Sequence, residues 1–208
     1  MLALYPVDSR VLIIFAHPAY QRSRVNRHLV RAVRDLPGIT FHDVYEAYPD
    51  FMIDVEAEQE LLSTHKAIIF QHPLFWYSTP AILKEWQDLV LTHGWAYGTG
   101  GDALKGKTVL QAITAGGSEE HYREGGLNRF PLRHLLTPFD QTCTLCQMTY
   151  VAPFVVHGTH KLITEADMIQ NCAEYRRLVE ALRDGQLDVE SARELPKLNG
   201  QLDQLIGL

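Results

Sequence analysis

Continuous apolar runs and helical apolar stripes alternate along the chain. Val11-Leu12-Ile13-Ile14-Phe15-Ala16 is an unbroken apolar run, the mark of a strand buried on both faces. Val25, Leu29, Val33 and Leu36 then recur at helical spacing, and Pro37-Gly38 stops that helix. Residues 39–45 read as a second strand, 55–63 as a short acidic helix, and 67–70 as a third, buried strand. Thr79-Pro80 predicts an N-cap followed by proline at the first helical position, and Ile82, Trp86, Leu89 and Val90 supply the apolar stripe behind it. Residues 108–115 form a fourth predicted strand and 150–156 a fifth. Thr164 with Asp167 is a capping-box pattern that opens a last helix reaching Arg183.

Strands alternating with helices imply right-handed crossovers and a parallel sheet covered on both faces. The predicted class is therefore α/β, a five-stranded, doubly wound parallel sheet of the flavodoxin-like kind with helices on both faces. Two stretches break the rhythm. Residues 97–107 (YGTGGDALKGK) are Gly-rich and form a loop, ordered or mobile. Residues 184–208 are polar with scattered leucines, so the expected division is a ligand-binding domain over 1–183 and a tail over 184–208 with at most one weak helix.

Composition narrows the function classes. A chain of 208 residues, 46% hydrophobic and 21% charged, supports one globular domain with a sizeable core. A net charge of -6 argues against a nucleic-acid partner. Three cysteines give no disulfide framework and fit a reducing compartment. No apolar run approaches the roughly 18 residues of a membrane span, and Met1 to Pro6 lacks a signal-peptide pattern, so cytoplasm is expected.

Ligands of open parallel sheets bind beyond the carboxyl ends of the strands, and three such ends stand out here. After strand one comes HPAYQRSRVN, residues 17–26. The Ser23 hydroxyl, the Asn26 amide and the first-turn N–H groups can converge on an anion, with Arg22 and Arg24 adding charge. The alternative is an ordinary capped helix, and neither G-x-G-x-x-G nor a Walker lysine is present. After strand three comes HPLFWYSTP, residues 72–80. Phe75, Trp76 and Tyr77 in succession cannot all face the core and offer either a wall for a planar ring or a plug or dimer contact. After strand four, Thr114-Ala115-Gly116-Gly117 allows close backbone approach to a ring's carbonyl edge, or is merely a turn. A phosphate cradle, an aromatic wall and a backbone clamp together suit a flavin mononucleotide better than a nicotinamide in a Rossmann crevice.

In order along residues 10–180 stand Ala16-His17-Pro18, Tyr48-Pro49-Asp50-Phe51 with Ile53-Asp54, Gln71-His72-Pro73 with Trp76-Tyr77-Ser78, and Leu83-Lys84 with Trp86. His93-Gly94-Trp95-Ala96-Tyr97-Gly98 and Thr114 with Gly116-Gly117 follow. With this ordered set the sequence resembles the flavodoxin-like NAD(P)H:quinone oxidoreductases, and among them it looks closest to the bacterial ancillary proteins of glutathione-regulated potassium-efflux systems. The resemblance implies FMN, with FAD as the alternative, and NAD(P)H as co-substrate. It implies flavin-phosphate contacts from His17, Ser23, Arg24, Val25 and Asn26. Ring contacts would come from Leu74, Phe75, Trp76 and Tyr77, and edge contacts from Thr114, Ala115, Gly116 and Gly117. It implies two-electron, ping-pong reduction of a quinone-like acceptor by a homodimer whose sites are completed across the interface. Trp76, Tyr77, Trp95 and Tyr97 are the surplus aromatics expected there.

Quinone reductases of this kind carry a Tyr near the flavin and a His six residues later. Tyr122 matches the first and is the candidate catalytic residue, but the second position holds Asn128, which cannot take up a proton; His121 is a substitute. Two other functions stay open: a regulatory subunit on a membrane potassium-efflux protein, which would bring the chain to the inner face of the membrane, and a flavodoxin-type one-electron carrier. Cys143-Thr144-Leu145-Cys146 lacks a second Cys or His pair for zinc and is read as helical packing. Asp50, Asp54, Glu56, Glu58 and Glu60 are read as first-turn and solvent-facing acids, and no metal site is expected.

Overall fold

The computed structural model describes residues 11–160 and 163–207. The reading of Met1 to Pro6 lies outside them. Six strands form one parallel sheet: β1 (Val11–Phe15), β2 (Ile39–Asp43), β3 (Ala67–Pro73), β4 (Thr108–Thr114), β5 (Thr149–Tyr150) and β6 (Phe154–Val156). Their order is β2-β1-β3-β4-β5, with β6 also pairing β4. The register sets Phe15 beside Gln71, Pro73 beside Thr114, and Thr114 beside Val156. The carboxyl ends of β1, β3 and β4 therefore finish together.

Side-chain alternation in the central strands feeds two cores. Val11 and Ile13 pack beneath α1 (Arg24–Val33) and α7 (Glu165–Arg183). Leu12 and Ile14 pack beneath α3 (Val55–Ser63), α4 (Ala81–Val90) and α6 (Thr137–Leu145). The last helix opens with the expected capping box between Thr164 and Asp167. No helix among the described residues is long and apolar enough to cross a membrane.

Several boundaries differ from the sequence expectation, each for a local reason. The second strand stops at Asp43, because its carboxylate accepts from the Tyr45 and Glu46 N–H groups and caps the short helix α2 (Val44–Ala47). Pro80, not Thr79, is the N-cap of α4, and no side-chain cap is made. Leu83 rather than Leu89 completes that helix's buried face. The fifth strand is split at Pro153, which has no N–H for the ladder. Just before it, the Ala152 N–H turns outward to the Ala192 carbonyl.

The Gly-rich loop is ordered. Ala96 and Leu104 are buried, and Gly98 holds a φ of 78° where a Cβ would fall 2.4 Å from the His93 ring. Where at most one weak helix was expected, the C-terminal segment holds two, α8 (Val189–Glu194) and α9 (Leu202–Leu205). Leu187, Ala192, Leu198, Leu202 and Leu205 are buried in the same core as Val11 and α1.

The cysteine pair sits on and just after α6, buried between strands four and five, and burial pushes both thiols up. Glu58 corrects the solvent-facing reading: it is 2% exposed and accepts from Tyr48 Oη at 2.6 Å and Trp86 Nε1 at 2.8 Å, with His42 Nε2 2.7 Å away. Burial raises its pKa, but those partners outweigh burial and hold the carboxyl below its ordinary range.

Candidate functional site

The loops after β1, β3 and β4 enclose a cavity of about 420 Å³. Strand order reverses between β1 and β3, the switch point at which open α/β sheets take their ligands. His17, Ser23, Arg24, Val25, Asn26, Leu74, Phe75, Thr114 and Gly116 all line it. Ala19, Arg22, Pro73, Thr159 and His160 line it as well; of these, Arg22 stands out in the sequence for its charge and Pro73 only within the Gln71-His72-Pro73 stretch. The described lining carries Arg22, Arg24 and two histidines, and no carboxylate.

The first loop is organised from its own residues. A 3-10 turn over residues 20–22 leads to Ser23, whose Oγ accepts the Asn26 N–H at 3.1 Å and caps α1. The capped-helix reading is thus correct, and the Ser23 proton can still be donated. The Asn26 amide, expected to reach an anion, faces inward instead. Its Nδ2 donates to Thr114 Oγ1 at 2.9 Å, and its Oδ1 accepts from Gln71 Nε2 at 3.4 Å. Gln71 in turn accepts from Tyr175 Oη at 3.0 Å. Arg24 donates to the Ile163 carbonyl. His17 Nδ1 accepts from the Ala19 N–H, which makes Nε2 the protonated nitrogen, and burial lowers its pKa.

The second loop is a hairpin. Phe75 and Ser78 exchange both backbone hydrogen bonds, at 3.1 and 2.9 Å, around Trp76 and Tyr77. Both central residues have positive φ, 49° and 65°, in the left-handed region that a two-residue turn of this kind demands and that bulky side chains avoid. Trp76 is 93% exposed, and neither Trp76 nor Tyr77 lines the cavity itself. Phe75 joins the first loop, its ring edge-on to His17 at 6.2 Å. Beneath the hairpin, the buried His72 Nδ1 donates to the Pro73 carbonyl and Nε2 accepts from Gln111, which accepts from Tyr150.

In the third loop Ala115 is fully buried and its N–H is bonded to the Val156 carbonyl, so it offers no donor. Gly116 and Gly117 donate to no backbone carbonyl among the described residues. The His160 ring lies over Gly116, occupying the place a Cβ would take, 2.3 Å away. Beyond Gly117 stands Tyr122, also outside the cavity lining. Its hydroxyl pairs with Asn128, which also accepts from Tyr77 Oη at 3.3 Å. Burial raises the Tyr122 pKa, with the Tyr77 hydroxyl adding to it, so the phenol stays protonated at neutral pH. His157, not foreseen from the sequence, lies 5.5 Å from the Tyr122 ring. His157 and His160 are isolated in a polar stretch, and only the strand-end position distinguished them. Trp95 and Tyr97 are half-buried against the core, so the domain leaves them, like Trp76 and Tyr77, incompletely covered.

A family model described as flavodoxin-like fold matches residues 9–179 and stops before the C-terminal segment. The glutathione-regulated potassium-efflux system ancillary protein KefG of Serratia proteamaculans is 49% identical over 152 residues, 73% of this chain and 83% of that protein. The general stress protein 14 of Treponema denticola, solved in complex with FMN, is 37% identical with a TM-score of 0.78, over 83% of this chain and 99% of that one. An NADPH-quinone reductase from P. pentosaceus is 30% identical with a TM-score of 0.74, over 82% and 97%.

Proposed function

The chain belongs to the flavodoxin-like fold family, and from that premise we propose that it is an FMN-binding, NAD(P)H-dependent oxidoreductase that reduces quinone-like acceptors. The observation that carries the reading is the cavity at the β1/β3 switch point, whose described lining holds two arginines and no carboxylate and which is bordered by an aromatic hairpin. It fits a phosphorylated, planar ligand: the α1 N-terminus, the Ser23 hydroxyl and Arg22 meet a phosphate, and Phe75 meets a ring. The FMN complex of the Treponema denticola protein and the activity named for the P. pentosaceus protein support the same reading.

A bound flavin would accept a hydride from NAD(P)H and return two electrons to a quinone. The chain's own residues bind, orient and exclude water. Arg22 and Ser23 hold the phosphate end. Leu74 and Phe75 wall the ring, with Trp76 and Tyr77 at its outer rim. The Gly116 and Gly117 N–H groups, bonded to no described backbone carbonyl, would be the donors for the ring's carbonyl edge. Tyr122 keeps its proton and donates a hydrogen bond on the substrate side, with Asn128 orienting its hydroxyl.

Purified protein titrated with FMN and FAD, then assayed for NADH and NADPH oxidation with and without a quinone, tests this reading. Bound FMN with quinone-dependent oxidation is expected. A chain that takes up neither flavin would sink it, and a stable one-electron state without NAD(P)H oxidation would favour a carrier.

A second role is compatible. The 49% identity to a potassium-efflux ancillary protein favours attachment to a membrane efflux protein at its cytoplasmic side. We also assign a homodimer, with Trp76 rather than Trp95 or Tyr97 as the interface aromatic, because its indole is almost wholly uncovered. Light scattering on the wild type and Trp76→Glu decides this.

A further inference from the structure

The C-terminal segment beyond the family match reaches the loop that carries Tyr122. Its course along the sheet edge is fixed by one backbone and two side-chain hydrogen bonds. The Leu198 N–H donates to the Pro153 carbonyl at 2.9 Å, and Asn199 Oδ1 accepts from the Val155 N–H at 2.7 Å. Arg133 Nη1 donates to the Leu195 carbonyl at 3.1 Å, and the Leu198 side chain is fully buried. Lys197 stands between these anchors. Its Nζ lies 2.6 Å from both carboxylate oxygens of Glu119. Glu119 opens the 3-10 turn Glu119–His121, and its carbonyl accepts the Tyr122 N–H at 2.9 Å. A small cavity of about 110 Å³ between loop and segment is walled by Glu119, Tyr122, His157, Pro196 and Lys197.

An ion pair this exposed contributes little to global stability. Its geometry matters for another reason: a lysine flanked by residues bonded to Arg133, Pro153 and Val155 grips both oxygens of the residue that starts the Tyr122 turn. The loop is also held by its own internal turns, by the Tyr77–Asn128 contact, by the Gly158 N–H on the Gly117 carbonyl, and by the Tyr122 ring packed against His157, Leu132 and Val155.

We propose that Lys197 is a positioning residue for the substrate side of the site: the bonds of its neighbours Leu195, Leu198 and Asn199 fix where it stands, and through Glu119 it sets where the Tyr122 ring stands beside Gly117. This rests on the oxidoreductase reading for its kinetic consequence, but not for the tether itself.

The test compares the full-length, flavin-loaded wild type with Lys197→Met, Lys197→Arg and the charge-exchanged Glu119→Lys/Lys197→Glu pair. In Lys197→Met, amide hydrogen exchange over residues 119–128 should rise about fivefold, the scale of a lost surface ion pair, with α7 and β4 unchanged. KM for the quinone should rise while kcat and flavin affinity hold. Lys197→Arg and the exchanged pair should restore both. Unchanged loop exchange in Lys197→Met overturns the tether. Raised exchange with an unmoved KM overturns the positioning role and leaves a structural brace. A wild type that oxidises no NAD(P)H refutes the functional reading instead, and loop exchange still decides the tether.

Discussion

Asn26 Nδ2 donates to Thr114 Oγ1 across 2.9 Å, joining residues 88 positions apart and locking the start of α1 to the end of β4. The same amide accepts from Gln71 on β3, so a single buried side chain joins the start of α1 to two neighbouring strands. The distance between the anion-facing helix end and the Gly116–Gly117 loop is set by this link. Being buried and satisfied, it costs little to keep and much to break on one side only.

Asn26→Ala should therefore lower stability by about 1–3 kcal/mol and weaken flavin retention, because Thr114 and Gln71 lose their partner. Urea unfolding with and without added FMN checks it. A variant that keeps full stability would mean the network is relaxed by water.

Arg22 should discriminate by phosphate. Arg22 lines the cavity, and the described lining holds no carboxylate to pair with it. Arg22→Ala is expected to weaken FMN binding by about 1.5–3 kcal/mol while leaving riboflavin, which has no phosphate, unaffected. Fluorescence titration with the two flavins separates the outcomes, and equal losses for both would place the phosphate elsewhere.

The hairpin stores strain at Trp76. Trp76→Gly and Trp76→Ala both delete the indole, but only glycine tolerates the positive φ of 49° at no cost. The glycine variant should be more stable than the alanine variant by about 1 kcal/mol, with both reduced in quinone turnover. Thermal unfolding at one protein concentration gives the comparison. Equal stability would show that the turn changes shape once the ring is gone.

His72 makes stability depend on pH in a defined window. Burial lowers its pKa to about 4, against an ordinary value of 6.5, while its bond to Pro73 offsets part of that. Above 6.5 both folded and unfolded states hold it neutral, and its contribution is fully present. As pH falls from 6.5 toward 4, only the unfolded state takes up the proton, so stability declines by up to about 3 kcal/mol and then levels. His72→Gln should flatten that part of the profile. Glu58, held below the ordinary carboxylate range, contributes stability above its unfolded value that is lost as pH falls through its folded one. The two residues thus act over different ranges, which urea midpoints from pH 7 down to pH 4 and lower resolve.

The strand–helix order, the parallel sheet and the three loops that meet at the cavity were legible in the sequence, because apolar runs and stripes answer to local periodicity and βα connections leave little topological choice. Ser23 at its cap and the inability of Phe75, Trp76 and Tyr77 to share the core followed from the same local rules. What the tertiary structure alone decided depends on partners distant in the chain. Asn26 reads as an anion ligand until Thr114 and Gln71 are seen to occupy its amide. Glu58 reads as a surface acid until Tyr48, Trp86 and His42 close around it. The C-terminal segment reads as a polar tail because its leucines are sparse, yet Leu187, Leu195, Leu198, Leu202 and Leu205 land on a core already formed by α1, α7 and the sheet. Periodicity reports which face of an element is buried, whereas a polar group's role is fixed by whatever packing brings within hydrogen-bond reach.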